Sequence, residues 1–344
     1  MIFVAFVLAV FLTMNWYVLA RLFHLFGLRR GGRFYAALVP LTLSVVVAIP
    51  LESRVGNSLT GGLYTAAMVW LGLCWLLLCL LLAQQALARL FPLPRRAWGT
   101  GVCCLASGLA LYAAVNAQTI TVRRETVPGL PLRVVHLSDI HLGSIGPGML
   151  ADIVATTNAL GPDLVLITGD LFDNANPKTR AASAKLAAFG APALFSSGNH
   201  ETYTGYEDVR TMLAGIPIRW LRNEIAEIAG VRVVGVDDSS GTDLLRSALD
   251  RLPASPAFTI LMNHRPLGVD LASRQRVGLV LSGHVHDGQI WPFNFLVGLF
   301  FPYLSGLHES GGAFLNVSAG AGFWGPPLRL GSRSEVVLLE PAPR

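Results

Sequence analysis

Residues 163–170 read Asp-Leu-Val-Leu-Ile-Thr-Gly-Asp, a short apolar run that stops at Gly169 and ends on the carboxylate of Asp170. A continuous apolar run of this length is typical of a strand buried on both faces. Four further apolar runs also end on residues that can bind a ligand, at 139–141, 199–200, 264 and 284–286. Because ligands bind beyond the carboxyl ends of strands in α/β sheets, the five polar clusters are predicted to form one site.

The order of elements around these runs indicates an α/β fold. Helices are predicted at residues 146–160 and 177–190, between the first strands of the series. A turn at Ala229-Gly230 predicts a hairpin. Apolar strands that alternate with helices predict sheets whose outer faces are covered. The predicted strands are residues 133–140, 163–170, 193–199, 231–236, 258–264, 278–284, 313–318 and 335–340.

The first third of the chain, residues 1–117, is predicted to be a helical membrane domain. Four apolar stretches, at 2–20, 34–51, 62–88 and 98–115, are long enough to cross about 30 Å of hydrocarbon. A cleaved signal peptide is the alternative for the first stretch, but no basic residue precedes it, which favours a retained helix. A polar linker is expected at 118–131 and a catalytic domain at 132–344.

The placement of arginine predicts the orientation of the chain. Residues 1–117 hold eight Arg and one acid, so they carry +7 (8 − 1), and the whole-chain charge of +5 leaves −2 (5 − 7) for the rest. Seven of these arginines lie in the first and third connections between the spans, and only Arg54 lies in the second. The excess of positive charge on cytoplasmic loops then places the second domain outside the cytoplasm of a multi-pass bacterial inner-membrane protein. The basic charge belongs to these loops, so a nucleic-acid partner is not expected.

The spacing of histidine and carboxylate residues predicts a metal site. Asp139 and His141 are two residues apart, as are His284 and His286, so each pair lies on one side of an extended chain. Mixed imidazole and carboxylate ligands suit zinc, iron or manganese better than calcium or magnesium. All four cysteines lie between residues 74 and 104, away from these motifs, so a thiolate site is not expected.

This set of motifs resembles the calcineurin-like metallophosphoesterase superfamily over residues 132–340. The matching motifs are Asp139-x-His141, Gly169-Asp170-x-x-Asp173, Gly198-Asn199-His200-Glu201, His264 and Gly283-His284-x-His286. The chain looks most similar to the bacterial YkuE/YaeI-type enzymes, because residues 282–289 and 317–329 fit that group, although Thr and Gly are commoner there than Val285 and Asp287. The resemblance implies a four-layer α-β-β-α sandwich, here preceded by an all-α transmembrane bundle of about four helices.

The resemblance also implies a role for each matching residue. One ion would be held by Asp139, His141 and His286. The second ion would be held by Asn199, His264 and His284, and Asp170 would bridge both ions. His200 would contact the phosphate or protonate the leaving group, while Asp173 and Glu201 would support the site without binding an ion. The implied cofactors are two divalent ions of Mn, Fe or Zn, and the implied reaction is attack of water on phosphorus.

Two features of the sequence limit the range of expected substrates. Asn174 follows Asp173 where protein Ser/Thr phosphatases of the superfamily have an Arg-Gly pair, which disfavours a phosphoprotein. A long apolar segment, residues 291–304, follows the last His motif. It either contacts a membrane or ligand, or packs on the transmembrane helices or in the core. In both cases its place beside a membrane-anchored site suggests a lipid-linked phosphoester or pyrophosphate.

The sequence therefore predicts an enzyme, a membrane-anchored metallophosphoesterase. A general phosphodiesterase and a pyrophosphatase of UDP-sugar lipids are alternatives within this class. A non-catalytic membrane scaffold is disfavoured because every metal ligand that the family pattern requires is present, and a transporter is disfavoured because no charged residue lies within the predicted spans in a way that would form a path. The expected partners are the membrane and a phosphorylated small-molecule or lipid substrate.

Overall fold

A computed structural model describes residues 2–239 and 241–343 of the chain. The described residues form two compact units, and the second unit begins at Asn116. The first unit consists of four helices, each long and apolar enough to cross a membrane. This number of apolar helices confirms the expected bundle. The helices are α1 (Ile2–Leu25), α2 (Gly32–Val55), α3 (Ser58–Leu87) and α4 (Arg95–Gln118).

Polar side chains of the first unit pair between helices α1 and α3. Trp70 Nε1 donates a hydrogen bond to Asn15 Oδ1 at 2.8 Å, and Arg21 donates to Gln84 Oε1 at 3.1 Å. Gln85 donates to the hydroxyl of Tyr17. A polar group in hydrocarbon needs such a partner, so these contacts join the two helices.

The second unit contains two six-stranded sheets. The first sheet has the strand order β1-β12-β2-β3-β4-β5, and the second has the order β10-β11-β9-β8-β7-β6. Strands β2 to β5 pair in parallel, as do β7, β8, β9 and β11. The strands are β1 (Ile120–Val127), β2 (Val134–Leu137), β3 (Leu164–Thr168), β4 (Ala193–Ser196), β5 (Ile218–Trp220), β6 (Glu224–Ile228), β7 (Val231–Gly235), β8 (Phe258–Met262), β9 (Leu279–Ser282), β10 (Gly306–Ser310), β11 (Ala313–Val317) and β12 (Ser334–Pro341).

The structure describes seven α-helices in the second unit after α4, and several of them cover the outer faces of the sheets. Val134 and Leu164 of the first sheet pack against Ile260 of the second in one buried cluster, so the sheets face each other. Helices α5 and α8 cover the first sheet, and α9 and α10 cover the second. This arrangement is the predicted four-layer α-β-β-α sandwich. The helices are α5 (Pro147–Ala159), α6 (Pro177–Ser183), α7 (Asn199–Thr204), α8 (Tyr206–Leu213), α9 (Asp243–Asp250), α10 (Val269–Arg274) and α11 (Phe293–Val297).

A buried histidine joins the two sheets. His136 of β2 lies 2.7 Å from Thr168 Oγ1 of β3 through one ring nitrogen and 2.7 Å from Asn316 Nδ2 of β11 through the other. Burial lowers the pKa of His136 to about 3, so its imidazole is neutral. Both ring nitrogens are paired, so His136 is a satisfied core residue.

The stretch predicted to be a linker, residues 118–131, contains strand β1. This strand pairs in parallel with β12 over its whole length. Arg123 of β1 makes two hydrogen bonds of 3.1 Å to Glu335 and donates to Asn316 Oδ1 at 3.0 Å. The face of β1 that turns inward thus carries an ion pair where apolar side chains are usual. Strands are predicted from the alternation of apolar and polar residues. A strand with charged residues on its inner face lacks this pattern and is predicted to be a linker.

The pair of Arg123 and Glu335 predicts a stability difference between two neighbouring arginines. Arg123→Ala removes the partner of a buried carboxylate, so we expect the free energy of unfolding to fall by about 2 kcal/mol. Arg124→Ala removes only an exposed ion pair with Glu340, and should change it by no more than about 0.5 kcal/mol. Chemical denaturation of the full chain in detergent, followed by near-UV circular dichroism, measures both. Equal losses for the two variants would contradict the account of β1.

Candidate metal centre

The predicted site residues follow the carboxyl ends of β2, β3, β4, β8 and β9. Five of the seven candidate ligands adopt a positive φ, which is uncommon for residues other than glycine. Such backbone strain is concentrated at functional sites, where the surrounding structure enforces it. The five residues and their φ angles are Asp139 (51°), His141 (53°), Asp170 (52°), His284 (71°) and His286 (50°).

The first cluster brings together Asp139, His141 and His286. Nε2 of His141 lies 3.1 Å from Nε2 of His286 and 3.8 Å from Oδ1 of Asp139. Nε2 of His286 lies 3.4 Å from the same Asp139 oxygen. Each of the three side chains thus directs one potential ligand atom toward a shared point. Together they can hold one metal ion.

The second cluster brings together Asp170, His264 and His284. Nδ1 of His264 donates to the carbonyl oxygen of Thr168 at 2.8 Å, so Nε2 is the ring nitrogen left to bind an ion. That Nε2 lies 3.3 Å from Oδ2 of Asp170. The rings of His264 and His284 are edge to face, with centroids 5.1 Å apart. These three side chains can also hold one ion.

Asp170 lies between the two clusters. Its Oδ2 is 3.7 Å from Nε2 of His141 in the first cluster and 3.3 Å from Nε2 of His264 in the second. Its Oδ1 accepts a hydrogen bond of 2.9 Å from the backbone N–H of His200. One carboxylate therefore reaches both groups of ligands, as the family pattern requires.

The residues present fit divalent metal ions. Nε2 of His264 and Oδ1 of Asn199 are buried and have no hydrogen-bond partner among the described residues. An unpartnered buried acceptor is costly, and an ion would satisfy both atoms. Asp139 and Asp170 are buried carboxylates close to the same imidazole, and two such charges need positive charge nearby. Asn199 would join the second cluster as its amide ligand.

Asp173 and His200 lie beside the first cluster. Oδ1 of Asp173 is 2.7 Å from Nδ1 of His141 and 2.8 Å from Nδ1 of His200. These three side chains also lie close enough to hold an ion. We interpret Asp173 as a support, because the single Nδ1 of His141 bonds to it while Nε2 faces the other ligands. A carboxylate in this position fixes the tautomer and the ring orientation of a ligand histidine.

Glu201 supports the centre through the backbone. Its carboxylate accepts hydrogen bonds from four N–H groups at 2.7–3.2 Å. Burial and the nearby Asp170 carboxylate raise the pKa of Glu201 to about 7. The donors belong to Gly198, Asp170, Leu171 and Phe172.

The electrostatics of the imidazoles differ between positions. Burial lowers the pKa of His284 and of His286 to about 3, so both are neutral and able to act as ligands. Burial also opposes protonation of His264, but the Asp170 carboxylate outweighs it and raises the pKa of His264 to about 10. Burial likewise opposes protonation of His200, whose pKa the carboxylates of Asp170 and Asp173 raise to about 9. Metal binding at His264 would therefore release a proton.

Gly283 is required by the close approach of two loops. A Cβ at this position would overlap Oγ of Ser138 and Oδ2 of Asp139. The backbone N–H of the next residue, His284, donates to both oxygens of Asp139 at 3.0–3.1 Å. The loop after β9 thus lies against the loop after β2, and this contact brings His284 and His286 to Asp139.

Arg329 belongs to the centre, although the motifs assigned it no role. Its side chain is fully buried, and its NH2 donates to the carbonyl oxygens of Ala319 at 2.7 Å and Gly322 at 2.6 Å. NH2 also lies 3.4 Å from Nδ1 of His286. Burial lowers the pKa of Arg329 to about 10, which still leaves it charged at neutral pH. Its sequence context, Pro-Pro-Leu-Arg, carries no spacing that links it to His286.

Comparison with known proteins identifies the family of the chain. The family model for calcineurin-like phosphoesterase matches residues 132–288. An uncharacterized metallophosphoesterase of Aquifex aeolicus is 33% identical over 242 residues, which are 65% of this chain and 91% of that protein. The chain belongs to the calcineurin-like phosphoesterase family. This assignment confirms the resemblance predicted from the motifs.

Two further members of the calcineurin-like phosphoesterase family are similar over part of their length. An uncharacterized metallophosphoesterase of Campylobacter jejuni is 37% identical over 67% of this chain and 66% of its own. A transmembrane protein with metallophosphoesterase domain from Bos taurus is 34% identical over 72% of this chain and 63% of its own. The match thus spans just under two thirds of each relative. Together with the four apolar helices, the second relative indicates that this calcineurin-like phosphoesterase is a membrane protein.

The contacts of Arg329 predict an effect on metal affinity. Arg329→Gln removes the charge and most of the hydrogen bonds that fix the loop around His286, so we expect divalent metal affinity to fall by about 10- to 100-fold. Arg333→Gln, at an exposed position nearby, should leave it unchanged. Calorimetric titration of manganese into chelator-treated full chain measures both affinities. An unchanged affinity in Arg329→Gln, with the fold intact by circular dichroism, would exclude this role.

Proposed function

We propose that this chain is a membrane-anchored phosphoester hydrolase that depends on two divalent metal ions and acts on a lipid-linked phosphate or pyrophosphate. The observation that carries the proposal is the position of Asp170, whose Oδ2 faces His141 Nε2 at 3.7 Å and His264 Nε2 at 3.3 Å. This carboxylate joins two ligand clusters, and paired ions are typical of phosphoester hydrolysis. Manganese, iron and zinc all fit the mixed nitrogen and oxygen ligands.

The two clusters support a ligand assignment, and the unpartnered side-chain oxygen of Asn199 supports its inclusion. Asp139, His141 and His286 would hold one ion. Asn199, His264 and His284 would hold the other, with Asp170 shared between them. When bound, the ions would supply positive charge to the phosphate oxygens and make water more acidic.

The role of His200 is proposed from its surroundings. Its Nδ1 is bound to Asp173, which holds the ring and leaves Nε2 as the nitrogen available to a substrate. The ring lies edge to face with Tyr203 at 5.4 Å and with Trp324 at 5.6 Å between centroids. Both neighbours are exposed aromatic residues, so His200 lies where an incoming substrate can reach it. From this position, Nε2 would donate a proton to the leaving oxygen.

The lipid-linked substrate is proposed from the location of the centre. The chain carries four helices able to cross a membrane, and a relative is named as a transmembrane protein. A phosphorylated lipid is the phosphoester that such a location supplies at high local concentration. The excess of arginine in the first and third connections supports a catalytic unit outside the cytoplasm. A reporter fused to the C-terminus, active only in the cytoplasm, would contradict this orientation if it gave a signal.

Two substitutions test the centre. Asp170→Ala and His264→Ala each remove a proposed ligand, so we expect hydrolysis of bis(p-nitrophenyl) phosphate with manganese to fall at least about a hundredfold. His308→Ala is the matched control, because His308 bonds to the Ser305 carbonyl away from the centre. Detergent-purified full chain and circular dichroism provide the activity and the check of the fold. Full metal-dependent turnover by Asp170→Ala would overturn the assignment.

The substrate class is tested by a screen. Purified chain with manganese is offered lipid phosphates, lipid pyrophosphates, soluble diesters and nucleotides, and the hydrolysis products of each compound are separated and quantified. We expect the lipid-linked compounds in mixed micelles to be hydrolysed at the highest kcat/KM. Comparable kcat/KM for the soluble nucleotides would contradict a lipid-linked substrate and leave the hydrolase proposal standing.

A further inference from the structure

The segment that follows the last His motif, residues 288–308, is apolar, and most of its residues between 291 and 300 are exposed. It contains no Asp, Glu, Lys or Arg. Helix α11 within it buries none of its residues. Six large apolar side chains of the segment are between 45% and 77% exposed, and so extended an apolar patch marks an interaction surface. They are Trp291, Phe293, Phe295, Leu296, Leu299 and Phe300. Residues 291–304 therefore pack in the core only in part, through Val297, Phe301, Tyr303 and Leu304.

The inner side of the segment is fixed beside the candidate metal centre. Val297, Phe301 and Leu304 pack against the buried cluster on the outer face of the second sheet. The ring of Phe301 lies edge to face with the ring of His284, with centroids 5.4 Å apart. The adjacent Phe300 is 77% exposed. One side of the segment therefore contacts a proposed metal ligand, and the other side is exposed.

A lipid bilayer is the occupant that this surface fits. The connection between α4, which can cross a membrane, and strand β1 is Thr119 alone, so the catalytic unit begins at the end of a span. Aromatic and aliphatic side chains without charge are suited to the boundary between head groups and acyl chains. A stable protein interface would be expected to have a polar rim around its apolar residues.

We propose that residues 288–308 insert their exposed apolar side chains into the bilayer and hold the metal centre against it. Insertion of this segment into the bilayer would occur whether or not the chain hydrolyses a phosphoester. The consequence for substrates rests on the proposed function: a phosphate attached to a lipid reaches the centre from the membrane, past Phe301 and His284, without leaving the bilayer.

Site-specific quenching tests the insertion. In a full chain with Cys74, Cys79, Cys103 and Cys104 replaced by Ala, a fluorophore is attached at Phe300→Cys and, as control, at Ile225→Cys on the edge strand β6, which is also exposed. In phosphatidylcholine vesicles, nitroxide-labelled acyl chains should quench position 300 at least about threefold more than position 225. The difference should persist at about 1 M salt, because the segment has no charge to be screened.

The two quenchers separate the occupants. Aqueous iodide should quench position 225 and spare position 300. Protection of position 300 from both iodide and the lipid nitroxide would mean that protein covers it, in this chain or in a second copy, and would overturn the proposal. Quenching of position 300 by iodide alone would mean that it faces water, and would overturn it as well.

An activity measurement tests the consequence for substrates. Leu299→Ser with Phe300→Ser changes two exposed positions and keeps Phe301, whose ring contacts His284. Hydrolysis of a soluble diester should stay within about twofold of the unchanged chain, while hydrolysis of a lipid phosphate in vesicles should fall at least about tenfold. Unchanged hydrolysis of both would overturn the role in substrate access. An unchanged chain that inserts position 300 but hydrolyses no phosphoester would overturn the proposed function and leave the insertion intact.

Discussion

Two loops of the candidate centre depend on one buried carboxylate. Glu201 accepts hydrogen bonds from the backbone of Gly198 after β4 and from Asp170, Leu171 and Phe172 after β3. These bonds fix the ends of the two strands relative to each other, and so position Asp170 and Asn199. Loss of the carboxylate would leave four buried N–H donors without a partner, which costs more than the bonds themselves contribute. The position of Asp170, the carboxylate that lies near histidines of both clusters, follows from this constraint.

Much of the sandwich and the composition of the centre could be predicted from the sequence, for a physical reason. Parallel strands buried on both faces must be apolar throughout, so runs such as 163–170 are conspicuous. Polar residues that follow such strands lie at the carboxyl ends of the strands, which is where ligands bind in α/β sheets. His284 and His286 follow such a strand, and Nε2 of His286 lies 3.4 Å from Oδ1 of Asp139. The extended backbone expected from their spacing is absent, because both residues adopt a positive φ and their side chains enter different clusters. The roles of these residues remain proposals.

Other features had no signature in the sequence. Arg123 of strand β1 pairs with Glu335, which is more than 200 residues away in the sequence. A polar residue gives no indication in the sequence that such a distant partner exists. Arg329 reaches His286 through a loop path that no regular spacing encodes. Apolar composition alone does not predict whether residues 291–304 are buried in the core or exposed to a membrane, because both environments favour the same side chains. Their exposure depends on the sheets and helices that pack around them in the three-dimensional structure.

The junction between α4 and β1 affects how this protein would encounter its substrate. A connection of a single residue, Thr119, extends no more than about 4 Å, so the catalytic unit cannot diffuse away from the lipid surface. For the proposed lipid-linked substrate, the search would be confined to two dimensions, and the rate of hydrolysis would follow the surface density of that lipid. A substrate at low concentration in the whole cell can still be crowded at that surface, and a dissolved competitor has no such advantage.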